Sequence, residues 1–117
     1  MKAAAEFTTI YLYRGEVDFR KWIRGLVAMI QHEFGKDPGA PALFVFVARD
    51  RKRIKAVYWD KTGFSLWLKV LERDRFIMPK AGARLDEIHA EELSKFLDGI
   101  NIFVQKPHEA LQYESYA

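Results

Sequence analysis

The apolar positions of this chain recur with two periods, and the switches between them mark the elements. Phe7–Tyr13 (FTTIYLY) is β-branched and aromatic and stops at Arg14-Gly15, which predicts a first strand. From Phe19 to Phe34 the period becomes helical. Phe19, Trp22, Ile23, Leu26, Val27, Ile30 and Phe34 share one face, with Arg20, Arg24 and Gln31 opposite and Lys21 beside them. Asp18 stands where an N-cap belongs, and Gly35-Lys36-Asp37-Pro38-Gly39 ends the helix, because glycine suits the C-cap and proline cannot continue. Leu43–Val47 is apolar at every position, as expected of a central strand covered on both sides. Across the polar link Arg49-Asp50-Arg51-Lys52-Arg53 the pattern resumes as an alternation. Arg53, Lys55, Val57 and Trp59 take one face, and Ile54, Ala56 and Tyr58 the other. The two runs read as a β-hairpin with cations at its tip.

Asp60-Lys61-Thr62-Gly63 is a turn, and Phe64–Glu72 after it fits both periods. Phe64, Trp67, Leu68 and Leu71 make a helical stripe, while Phe64, Leu66, Leu68 and Val70 alternate as a strand would. Thr62 as a cap and the single β-branched residue, Val70, favour the helix. Phe76–Met78 before Pro79 suggests a short strand, with Ala83–Ile88 as its partner. Ala90–Asp98 reads as a helix ending at Gly99, and Ile100–Val104 as a last strand. The expected architecture is α+β. A small, mostly antiparallel sheet is built around a central hairpin at about 43–59. A long N-terminal helix (about 19–34) and two shorter ones (about 64–73 and 90–98) pack on it.

Composition narrows the class. At 117 residues, half of them apolar, the chain is expected to be one domain with a core at about 7–104 and loose ends at 1–6 and 107–117. It contains no cysteine, so disulfide frameworks and thiolate metal or redox sites are excluded. The leader has no apolar core of signal-peptide length, and no run reaches the roughly 18 apolar residues of a membrane span; a soluble, cytoplasmic protein is expected. Charge is the most uneven property. Residues 1–84 hold 17 basic and 9 acidic side chains, whereas 85–117 hold 2 and 7. Such polarity points to an anionic partner for the basic part.

Enzymatic templates find little support. GxGxxG, GxxxxGK[ST] and GxSxG are absent, and His32, His89 and His108 lack metal-ligand spacing. No cofactor or metal is expected. Asp18, Asp60 and Glu72 could hold metal ions for a nuclease if the fold joined them, but a cap, a turn residue and an exposed helix residue are their simpler roles. The cations form three groups: Arg49, Arg51, Lys52, Arg53 and Lys55; Arg14, Arg20, Lys21 and Arg24; and Lys69, Arg73 and Arg75. Several cations on one surface are what phosphate neutralisation needs. Arg49, Arg51, Lys52, Arg53 and Lys55, helped by Arg20, Lys21 and Arg24, are therefore the expected nucleic-acid contacts. Trp22, Trp59 and Trp67 are expected in the core, although an exposed aromatic beside these cations could stack on unpaired bases.

Asp18-x-Arg20-Lys21, the LFVF run, Arg53-Ile54-Lys55, Tyr58-Trp59-Asp60, Gly63, Lys69-x-Leu71-Glu72, Arg75-Phe76 and Pro79 stand in a recognisable order. Over residues 8–104 the chain resembles the small accessory protein of the IS-66 insertion-sequence family, called TnpB or the second open reading frame. Leu93, Leu97, Gly99 and Ile100 fit that family's closing helix. Trp22 and Asp74 depart from it, standing where glycine is common. The resemblance implies a non-catalytic role in transposition beside a large transposase that performs strand transfer. DNA and that transposase are the implied partners. An alternative is a protein-interaction module docking on the transposase through Glu91, Glu92 and Leu93.

Overall fold

A computed structural model of the chain describes residues 6–7, 9–15, 17–78 and 85–103. The elements run β1 (Thr9–Tyr13), α1 (Ile23–His32), β2 (Ala42–Val47), β3 (Arg53–Asp60), β4 (Gly63–Val70), β5 (Leu85–Ile88) and α2 (Ala90–Leu97). They build one five-stranded mixed sheet in the order β4-β3-β2-β1-β5. β1 and β2 are parallel, joined through α1, and the remaining neighbours are antiparallel. Parallel strands need such a crossover, because the chain must return to the starting end before running the same way again.

Both faces of the sheet are covered. On one face Tyr13, Phe44, Phe46 and Val57 meet Leu26, Met29 and Ile30 of α1. On the other, Ile10, Leu12, Leu43, Val45, Ile54 and Ala56 meet Leu93 and Phe96 of α2, with Phe76 and Met78 from the segment after β4. Phe76 lies stacked on Phe96, ring centroids 5.2 Å apart. All six residues of β2 are consequently buried, as an all-apolar strand in mid-sheet requires.

This sheet-dominated architecture corrects the expected one in several places. The first helix is short. Phe19 and Trp22 precede it, Trp22 occupies the N-cap position, and Asp18 closes a turn by accepting the Arg20 backbone N–H (3.0 Å). The stretch read as a helix at 64–73 is strand β4. Lys61, with φ of +55°, closes a tight turn with Thr62, and residues 63–70 then pair with β3 along their whole length. The unmatched backbone edge of β3 decides this, since every buried N–H and C=O in a sheet needs a partner and local helical preference is worth only tenths of a kcal/mol per residue. Leu85–Ile88 pairs with β1 instead of with 76–78, which is not a strand. Residues 100–103 are irregular, with a turn at 102–103, where a last strand was expected. The expected loose ends, apart from Glu6, lie outside the described residues, as do Pro79, Ala83, Val104 and His108. Among the described residues no helix is long and apolar enough to cross a membrane.

Candidate nucleic-acid interface

Strand register decides where the cations go. Tyr13 at the end of β1 pairs with Phe46 and with Leu85, Val47 at the end of β2 pairs with Ile54, and Arg53 pairs with Val70. The end of β1, the β2–β3 tip and the end of β4 therefore lie along one end of the sheet. Arg20, Lys21 and Arg24 follow β1, Arg49–Arg53 form the tip, and Arg73 and Arg75 follow β4. Three groups separated in the chain share that end.

Lys55 fastens the first group to the second. Its side chain is buried (4 % exposed) among the apolar residues on the α1 face. Its Nζ donates to the carbonyls of Phe19 (2.6 Å) and Lys21 (2.7 Å) and lies 4.5 Å and 4.8 Å from the ring centroids of Phe19 and Trp22. Burial pushes its ammonium below the ordinary lysine value, and the charge of Arg53 adds to that. Lys55, expected to touch phosphate, instead holds down the Asp18–Trp22 loop. The alternation along β3 puts Lys55 on this face, but its pairing opposite buried Phe46 and the loop that covers it show only in the fold.

The other expected contacts fall into three kinds. Arg49, Lys52, Lys21 and Arg24 are exposed at this end. Arg20 and Arg53 are half-compensated: Arg20 Nη2 lies 2.7 Å from Asp18 Oδ2, and Arg53 Nη2 lies 3.2 Å from Asp50 Oδ2. Hydrogen bonds from Arg20 hold the Asp18 carboxyl far below the usual carboxylate range. Arg51 turns away, its Nη1 donating to the Met78 carbonyl at 3.1 Å. Arg14 pairs with Asp86 and lies 5.0 Å from the Phe103 ring. A crevice of about 460 Å³ runs between Val17, Asp18 and Phe19 on one side and Arg49 and Arg53 on the other.

Trp22 is the residue that sequence reasoning misplaced most usefully. It is 55 % exposed, against expectation, and stands beside Lys21 and Arg24 with Lys55 beneath its ring. Trp59 is also partly exposed, packed edge-on against Phe64, and Trp67 is half-buried. The carboxylates do not assemble. Asp60 sits at the β3–β4 turn and Glu72 two residues beyond the other end of that hairpin, whose paired length alone is about 23 Å. Among the described residues there is no group of three or more metal-ligating side chains. On α2, Leu93 is buried and Glu92 caps the helix through the His89 N–H (2.9 Å), which leaves Glu91 as the exposed member of that trio.

The chain matches the family described as IS66 Orf2 like protein over residues 8–107. It belongs to that family. Two relatives come from Sinorhizobium fredii. Protein y4jC, named as uncharacterized, is 35 % identical over 85 residues, 73 % of each chain. Protein y4hO, also named as uncharacterized, is 29 % identical over 101 residues, 86 % of this chain and 88 % of its own. No solved structure matches significantly. Membership in the IS66 Orf2-like family gives the protein a transposition-related accessory role.

Proposed function

We propose that this IS66 Orf2-like protein is a non-catalytic accessory factor that binds DNA at the basic end of its sheet, acting beside the transposase of the same element. The observation that carries the reading is the gathering of three sequence-distant cation groups at one end. Arg49, Lys52, Lys21 and Arg24 make the phosphate contacts, with Arg20 and Arg53 supplying the part of their charge that Asp18 and Asp50 leave. Lys55 and Arg51 are positioning residues. Each phosphate neutralised releases counterions, so affinity falls with salt at a slope of about 0.9 per contact on duplex DNA.

The test is binding of a labelled duplex across a salt series, for the wild type and for an Arg49→Ala/Lys52→Ala variant. The expected result is salt-sensitive binding, with a slope shallower by about 2 in the variant. Wild-type protein that leaves the duplex free at low salt, or a slope the variant does not change, overturns the reading.

A further inference from the structure

β4 is an edge strand of eight residues, and among the described residues no strand pairs with its outer side. Natural edges of this length are blunted by proline, bulges or several charges, because an open row of N–H and C=O groups recruits another strand. β4 has neither proline nor bulge, and Lys69 is its only charge. The Asp60–Gly63 pair closes the two-residue turn, so Gly63, Ser65, Trp67 and Lys69 direct their backbone groups to β3. Phe64, Leu66, Leu68 and Val70 direct theirs outward. The side chains of those same four residues lie on the α1 face. Phe64 and Leu66 pack against the core there, while Leu68 and Val70 extend past it, 46 % and 53 % exposed.

We infer that β4 is a pairing edge for a second copy of this chain, joined antiparallel across a two-fold axis through Trp67. A two-fold interface must be self-complementary, and β4 is so in this register. Leu66 of each copy opposes Leu68 of the other, and Phe64 opposes Val70, so the exposed half of one strand meets the core-packed half of its mate. Ser65 opposes Lys69, and no like charges meet along the strand. The sheet becomes ten-stranded, and the open backbone row of each copy is satisfied by the other.

Sedimentation equilibrium of the full chain over a concentration series tests this. The wild type is expected to dimerise. Leu68→Glu, a change at an exposed position, is expected to weaken the dimer at least tenfold while the circular dichroism spectrum is retained. The register has its own readout, because the chain lacks cysteine. Ser65→Cys/Lys69→Cys places thiols on a non-hydrogen-bonded pair with Cα atoms about 4.5 Å apart, inside disulfide range. Mild oxidation should crosslink that variant but not Ser65→Cys alone. A wild-type monomer at all concentrations overturns the inference, as does a dimer that Leu68→Glu leaves intact and the double variant does not crosslink.

Discussion

Lys55 shows how much one buried cation can organise. Two backbone carbonyls, from Phe19 and Lys21, have Lys55 Nζ as hydrogen-bond partner, and replacing Lys55 by methionine removes that donor from both. Urea denaturation of Lys55→Met should report a loss of about 1–3 kcal/mol, accompanied by weaker DNA binding as the loop loses its anchor. Asp18 acts in the opposite sense. Asp18→Asn keeps an oxygen for the Arg20 N–H but frees the guanidinium, so the variant is expected to bind duplex DNA more tightly and with a steeper salt dependence. Trp22 offers an aromatic face amid cations, and stacking on an exposed ring contributes about 1–3 kcal/mol per base. Trp22→Ala should therefore lower affinity for DNA with unpaired bases more than for a duplex, as competition between the two ligands would measure. The placement of these side chains was partly legible. The alternation of Arg53, Lys55 and Val57 gave the correct face, but whether a lysine on that face reaches solvent depends on which loop folds over it. Periodicity likewise carried Trp22 into the helical stripe, because it has no term for a helix that starts four residues later than its apolar pattern.

Among the elements, the hairpin Ala42–Val47/Arg53–Asp60 was readable because its two strands carry unmistakable patterns, one fully apolar and one alternating. Gly35, at φ +61°, ended α1 as its position suggests. β4 was not readable from its own residues. Its eight positions satisfy both periods, and only the neighbouring edge of β3 makes the choice. The segment after β4 was half-legible: Phe76 and Met78 are inward as an alternation implies, yet they fill a gap beside α2 instead of joining the sheet. Phe76→Ala would empty a fully enclosed site against Phe96, at an expected cost of about 3–5 kcal/mol in equilibrium unfolding.

For the molecule as a whole, register does what composition could not. The imbalance between residues 1–84 and 85–117 suggested an anionic partner, but three cation groups scattered through a chain need not meet. They meet because β1, β2 and β4 all run toward the same end, so the segments leaving each of them emerge together. The same register separates Asp60 from Glu72 and so withdraws the carboxylate set on which a nuclease would depend. The accessory role that comes with the IS66 Orf2-like family fits a molecule whose most distinctive surface is a charged end.

The tip of the β2–β3 hairpin is not a free loop. Phe76 N–H donates to the Arg51 carbonyl (2.7 Å), Leu71 N–H to the Lys52 carbonyl (2.7 Å), and the Arg51 side chain to Met78, so the segment after β4 braces the tip from behind. An unbraced tip would lose backbone freedom, about 1–2 kcal/mol per residue, when it settled on a ligand. This one has given up that freedom on folding. Hydrogen exchange at the Leu71 and Phe76 amides should accordingly be slow in the free protein and little changed when DNA is added, the mark of a preorganised surface.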